Sequence, residues 1–353
     1  MFDFSSFLSN KAFITEDHHV YTYADLLGLS ERFSEHLVPR SLIFIGCENS
    51  LESIVAYVSC LRSGVVPLLL SRDVPDETLY HLEAIYHPRY CWFPSRRDLL
   101  VKGKEKYSLG GYSLIQYDGD SPVLPEGLAL LLTTSGSTGS PKLVRLSHDN
   151  LKSNACSIIE YLKITSSEKA ITSLPMYYSY GLSVLNSHLL AGATLLLTDK
   201  SYVQREFWKF VLEEKATSFA GVPFTYEILK KMRFEKFLPS SVKVMTQAGG
   251  KLNSSLIKYF SEYARLHDIR FYVMYGQTEA TARMSYLPAE YTLNKVGSVG
   301  VAIPGGHFSL IDEDGMRIVS PNVEGELVYE GSNVFWGYAE SLDDLFKGDE
   351  NKG

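Results

Sequence analysis

The sequence predicts an α/β protein: two stacked βα sheets with flanking helices, followed by a small β-rich distorted barrel. Three observations lead there. From residue 22 to residue 274, apolar strand-like runs alternate with helical stretches. Those runs are apolar throughout instead of alternating, as strands of a parallel sheet covered on both faces are. From Gly297 the texture changes to short pieces broken by Gly300, Pro304, Gly305, Gly306, Gly315, Gly325, Gly331 and Gly337. The 353 residues, 45% hydrophobic and 21% charged, suffice for roughly two to three folding units with ample core. The expected division is 1–125 as the first α/β sheet, 126–290 as the second, and 291–353 as the β-rich part.

Thr22 has the character of a helix N-cap, with Asp25 three residues on and Leu26, Leu29, Phe33 and Leu37 on one helical face. Residues 41–46 read as a strand, 51–62 as a helix closed by Gly64, and 65–70 as a second buried strand. A helix over 76–86 and a short strand at Tyr90 follow. Residues 101–125, poor in aliphatics, read as a connection. Beyond residue 148, helices are expected at 149–162, 182–190, 205–214, 224–232 and 254–267. Strands are expected at 170–173, 193–198, 217–221, 242–246 and 270–274.

An apolar run at 128–132 empties into 133–140, which holds only Thr, Ser and Gly. Without bulky side chains the backbone N–H groups of such a loop can turn inward, and Thr134, Ser135, Ser137 and Thr138 add hydroxyls beside Gly136 and Gly139. That donor set suits a chain of phosphate oxygens. Lys142 supplies a positive charge just beyond, and an apolar strand at 143–146 holds the far side. A Walker loop is excluded because Lys142 lies between Pro141 and Leu143. A nucleophile elbow is excluded because Ser135 occupies the position two before Ser137, where Gly is required.

Tyr275-Gly276-Gln277-Thr278-Glu279 directly follows the strand at 270–274, and strand ends are where open α/β sheets bind ligands. An aromatic face can stack on a purine, a hydroxyl can bond a phosphate oxygen, and a carboxylate can ligate a phosphate-bound Mg²⁺. The plain alternative is a strand-to-helix turn with Thr278 as its cap. Gln247-Ala248-Gly249-Gly250 ends the preceding strand, where paired glycines admit a flat ligand close to the backbone.

The net charge of −7, with no Lys/Arg block, argues against a nucleic-acid binder. Cys47, Cys60, Cys91 and Cys156 are scattered without metal-ligand spacing, which points to buried free thiols. The N-terminus lacks the pattern of a secretory signal and no run reaches a membrane span, so a cytoplasmic location is expected.

The run 134–142, followed by Ser147-His148-x-Asn150, resembles the phosphate loop of the adenylate-forming superfamily. That superfamily comprises acyl- and aryl-CoA synthetases, peptide-synthetase adenylation domains and beetle luciferases. The resemblance implies ATP and Mg²⁺ as cofactors. It assigns adenine stacking to Tyr275, the other adenine face to Ala248, Gly249 and Gly250, phosphate contact to Thr278, and the metal to Glu279. With Lys142, Thr278 and Glu279 form the implied catalytic set, and Gly276 and Gln277 complete the nucleotide turn.

Residues 174–181 resemble the family's fourth motif, but Tyr178 stands where many relatives carry His, and the Asp that pairs with an amino-acid ammonium is lacking. The implied substrate is therefore a carboxylic acid without an α-amine, in a pocket of Tyr178, Ser179, Tyr180, Val222, Pro223 and Gln247. The implied reaction forms an acyl-adenylate and pyrophosphate, then transfers the acyl group to coenzyme A or a carrier-protein thiol. Residues 325–338 resemble a largely structural sixth motif. The family's Thr-Gly-Asp ribose clamp and its lysine-bearing small domain have no counterpart in this sequence, so the expectation is the large N-terminal part alone, weak or inactive by itself. Other readings are a non-catalytic nucleotide-binding module, an amino-acid-activating domain and a luciferase-type oxygenase.

Overall fold

The computed structural model describes residues 1–95, 103–133 and 142–351. Among them, an eight-stranded sheet runs in the order Tyr338–Ala339, Leu143–Ser147, Leu128–Thr133, Val66–Ser71, Leu42–Cys47, Tyr90–Pro94, Tyr112–Tyr117, Gly103–Leu109. A nine-stranded sheet runs Val301–Ala302, Ser285–Leu287, Arg270–Tyr275, Val244–Gln247, Ser218–Gly221, Lys169–Ile171, Thr194–Leu196, Lys11–Ile14, Val20–Thr22. The centre of each is parallel and built from continuous apolar runs such as Leu42–Cys47, buried along its whole length. Antiparallel strands close the edges.

Helices Tyr23–Ser34, Leu51–Ser63 and Ser179–Leu190 fill the space between the sheets in one apolar core. Arg205–Glu213, Pro223–Lys231 and Ser254–Leu266 cover the outer face of the nine-stranded sheet. Asp76–Tyr86 covers that of the eight-stranded one. The result is a layered α/β/α/β/α stack. Local signals set the element ends: Thr22 and Asp25 form a reciprocal capping box, and Gly64 closes its helix in the left-handed region at φ 70°.

Several expectations are corrected. Sheet membership does not follow the 125/126 division: Leu128–Thr133 and Leu143–Ser147 belong to the eight-stranded sheet, while Lys11–Ile14 and Val20–Thr22 join the nine-stranded one. Adjacent apolar strands look alike in sequence, and partner choice is a tertiary decision. The expected connection at 101–125 contains a hairpin, Gly103–Leu109 with Tyr112–Tyr117. Its outer strand is a largely exposed edge, so its polar composition hid it. Of the small barrel or distorted sheet expected for the β-rich part, the described residues form the sheet. It is a three-stranded antiparallel sheet of Arg317–Ile318, Gly306–Ile311 and Glu326–Gly331, and the strands on either side of it leave to join the two large sheets. Cys47, Cys60 and Cys91 are buried and form no disulfide, but Cys156 is exposed on its helix. Among the described residues no helix is long and apolar enough to cross a membrane.

Candidate active site at the strand ends

Three parallel strands of the nine-stranded sheet, ending at Gly221, Gln247 and Tyr275, deliver their following turns to one place. Gln247, Gly249, Gly250, Tyr275 and Gly276 line a cavity of about 490 Å³ there, within the range of small-molecule sites. Tyr275 is 38% exposed, so one ring face is open to a ligand. Gly249 (φ +80°) and Gly250 (φ +154°) both occupy the region that L side chains avoid. A Cβ on Gly249 would stand 2.4 Å from the Tyr178 hydroxyl oxygen and 3.2 Å from Val222 Cγ1, and one on Gly250 would stand 3.2 Å from Pro223 Cγ. The paired glycines, Tyr178 and the Val222-Pro223 turn thus pack against each other, with Ala248 buried beneath. Gln247 is fully buried and its Nε2 donates to Gly250 O at 2.9 Å. Its Oε1 accepts no hydrogen bond among the described residues, an orphaned acceptor beside a cavity suited to a polar planar ligand.

Thr278 opens a short 3₁₀ turn, Thr278–Ala280, in which Gln277 holds the cap position without a side-chain bond. The hydroxyl of Thr278 is therefore not used for capping; it lies 3.1 Å from Ser179 Oγ, at the start of Ser179–Leu190. Tyr180, one residue on, is buried and hydrogen-bonded to Thr246 Oγ1 at 2.8 Å, so it belongs to the apolar core and not to the cavity lining. The turn is tight and strained: a Cβ on Gly276 would lie 1.9 Å from Ala282 O, and Thr281 and Ala282 have φ of 61° and 137°. Asn333 holds it in place, with Nδ2 donating to Ala280 O at 2.7 Å and Arg283 O at 3.0 Å.

Glu279 is half-buried, and its Oε1 accepts the Tyr338 hydroxyl at 2.7 Å. Burial, then the neighbouring Glu279 carboxylate, pushes the Tyr338 phenol up to about 12. Among the described residues nothing engages Glu279 Oε2. Lys142 stands on the other side of Tyr338, its Nζ 5.6 Å from the ring centroid and 2.8 Å from Glu340 Oε1. Among the described residues no cluster of three His, Cys, Asp or Glu side chains forms a metal cage. A single free carboxylate oxygen instead suits Mg²⁺ that arrives bound to phosphates.

The structure therefore places Lys142 and Glu279 against Tyr338, bonds Thr278 to Ser179, and sets Gln247, Gly249, Gly250, Tyr275 and Gly276 around the cavity, with Tyr178, Val222 and Pro223 packed against the paired glycines. Thr134, Ser135, Gly136, Ser137, Thr138 and Gly139 lie outside the described residues. Sequence reasoning missed the roles of Tyr338 and Asn333. Gly337-Tyr338 stood out only as part of a structural motif, and no local spacing shows that Tyr338 reaches back 59 residues.

The chain is 31% identical over 352 residues to the 2-succinylbenzoate–CoA ligase of Bacillus cereus, covering 94% of this chain and 70% of that one. The solved N-terminal domain of FACL13 from Mycobacterium tuberculosis superimposes with a TM-score of 0.80 at 16% identity, over 97% of this chain and 90% of that one. The o-succinylbenzoate coenzyme A synthetase of Bacillus subtilis, solved with ATP and a magnesium ion, superimposes with a TM-score of 0.74 at 23% identity, over 93% and 69%. At these identities the two structural likenesses concern the fold. The model of the AMP-binding enzyme family matches residues 6–339, nearly the whole chain, and with the strand-end site already in view this chain belongs to that family, within the adenylate-forming superfamily.

Proposed function

We propose that this site takes part in ATP-dependent activation of a carboxylic acid to an acyl-adenylate, with release of pyrophosphate, followed by transfer of the acyl group to the thiol of coenzyme A. The observation that carries this reading is the convergence of Thr278, Glu279 and Lys142 beside a cavity bounded by Tyr275 and the Gly249-Gly250 turn. The ligase relative from Bacillus cereus supports the acceptor.

The first step is an in-line attack of a carboxylate on the α-phosphorus, so the protein's contribution is positioning and charge neutralisation. In this reading Tyr275 and the paired glycines hold the adenine, and the orphaned Gln247 Oε1 accepts from a ligand N–H. Thr278, oriented by Ser179, donates to an α-phosphate oxygen. Lys142 releases Glu340 and meets the departing pyrophosphate together with the hydroxyls of 134–138. Glu279 Oε2 would hold Mg²⁺, which when bound neutralises phosphate charge. The acid lies against Tyr178 and the Val222-Pro223 turn, and no carboxylate of the 174–181 segment is available to pair an α-ammonium.

Isothermal titration with Mg·ATP, AMP and stable N-acylsulfamoyl adenosines tests the reading directly. The acyl analogues should bind more tightly than AMP. Glu279→Gln should abolish the Mg²⁺-dependent part of ATP binding while leaving AMP binding in place. Failure of every adenosine compound to bind would sink the proposal.

A further inference from the structure

The strand Leu143–Ser147 is buried along its whole length, yet its central residue is a cation, Arg145, whose side chain is fully buried. A buried guanidinium is costly unless its N–H groups are all met. Here each of its five donors has an acceptor: Nε donates to Tyr338 O at 3.3 Å, Nη2 to Trp336 O at 3.0 Å and to the Glu350 carboxylate, and Nη1 to Gly348 O at 3.2 Å and to Lys347 O. One planar side chain thus ties two separate segments, 336–338 and 347–350, to the strand that begins directly after Lys142.

The first of those segments is the one that touches Glu279. Phe335 N donates to Glu279 O at 2.8 Å, the Tyr338 hydroxyl donates to Glu279 Oε1 at 2.7 Å, and the two rings pack edge to face with centroids 4.9 Å apart. Backbone bonds set its register: Arg145 N donates to Gly337 O at 3.1 Å, and Trp336 N donates to Arg145 O at 2.9 Å. Gly337 has a φ of +123°, and a Cβ there would stand 2.7 Å from Arg145 Nη2, so the guanidinium is seated directly against the backbone of this segment. The second segment braces the first, since Glu350 N donates to Trp336 O at 2.9 Å and Asn351 Nδ2 donates to Phe335 O at 3.0 Å.

We propose that Arg145 is a positioning residue for the Glu279 carboxylate. By fixing the carbonyls on both sides of Gly337 it sets where the Tyr338 hydroxyl stands, and so which Glu279 oxygen is left for Mg²⁺ arriving with ATP. The inference rests on the acyl-adenylate reading above. The bonds of Arg145 go to the two segments and not to Glu279, so its effect on the carboxylate passes through Tyr338. The strand Tyr338–Ala339 is only two residues long, and so short an edge has few ladder bonds to fix its direction. A rigid fork with every donor engaged removes that slack. Glu350 closes the fork with a side chain that is 45% exposed. A surface carboxylate outside the site therefore acts on the metal ligand through a buried cation.

The test reads the Mg²⁺ concentration needed for ATP binding by calorimetry, with AMP as the metal-free control. Arg145→Gln should raise that concentration roughly tenfold, as loss of a partner that orients a metal ligand does, and should leave AMP binding in place. A purely structural arginine would instead lower the melting temperature and weaken ATP and AMP alike. The deciding measurement is the double variant. Because Arg145 acts through the Tyr338 hydroxyl, Arg145→Gln together with Tyr338→Phe should shift the requirement no further than about tenfold, where independent residues would give about a hundredfold. Glu350→Gln keeps the buried guanidinium and changes only a half-exposed partner, so it tests the same path without threatening the fold. It should raise the Mg²⁺ requirement about threefold, and not at all when residue 338 is already Phe. Should Arg145→Gln fail to fold, this second cycle decides alone. Multiplicative shifts in either cycle, or single variants with the Mg²⁺ requirement of the unaltered protein, overturn the proposal and leave the adenylation reading intact. ATP binding by the unaltered protein that does not depend on Mg²⁺ overturns both.

Discussion

The Tyr338 hydroxyl donates to Glu279 Oε1 across 2.7 Å, joining the edge strand Tyr338–Ala339 of the eight-stranded sheet to the carboxylate at the mouth of the nine-stranded one. By holding one oxygen, the phenol fixes the plane of the carboxylate and leaves the other oxygen for a metal. Such orienting partners typically govern affinity at the ligand they support. Tyr338→Phe should therefore raise the Mg²⁺ concentration needed for ATP binding roughly tenfold and leave metal-free AMP binding alone. A magnesium titration followed by calorimetry reads both.

Lys142 and Glu340 form an ion pair with both side chains about half exposed, and such pairs contribute only ~0–1 kcal/mol. Lys142→Ala should thus move the urea midpoint very little. If the ammonium meets phosphates, the same change should weaken ATP about tenfold or more, because a charge-assisted contact is lost, and should weaken AMP far less. Equal losses for the two nucleotides would remove Lys142 from the phosphate site.

Asn333 bonds two carbonyls of the strained turn, Ala280 O and Arg283 O, and its Oδ1 accepts the Tyr329 hydroxyl at 2.8 Å. Asn333→Ala leaves buried groups without partners, at a cost of roughly 2–4 kcal/mol. It also releases the residues that place Thr278 and Glu279. Chemical denaturation should show the stability loss, and ATP affinity should fall in parallel.

His188 carries a pH signature. Burial lowers its imidazole from 6.5 to about 4; the bond to Val184 O opposes this in part, and the Arg283 charge adds a smaller push downward. The folded state therefore refuses a proton that the unfolded chain accepts. The stability contribution is complete above pH 6.5 and declines as pH falls from 6.5 to 4, by up to ~1.4 kcal/mol per pH unit. Urea unfolding at pH 7.5, 6 and 5 measures the slope. His188→Gln should flatten it over the same window; an unchanged slope would show that other groups carry the dependence.

The alternation of strands and helices, most of their ends, and the short polar turns proposed to bear the chemistry are legible in the amino-acid order. These are local matters. The capping pair Thr22 and Asp25, the φ-positive Gly64 and the apolar run 42–47 each act within one or two turns of chain, so their signals are written in adjacent residues. Tertiary structure alone decided which sheet each apolar strand joins, because a run such as Leu128–Thr133 fits the middle of either. It also decided that Tyr338 reaches Glu279, that Asn333 braces the turn around Thr281 and Ala282, and that Arg283 lies buried with no ion-pair partner among the described residues. Those relations depend on directions in space between segments tens of residues apart, and hydrophobic periodicity, which reports only inside versus outside, carries no such information.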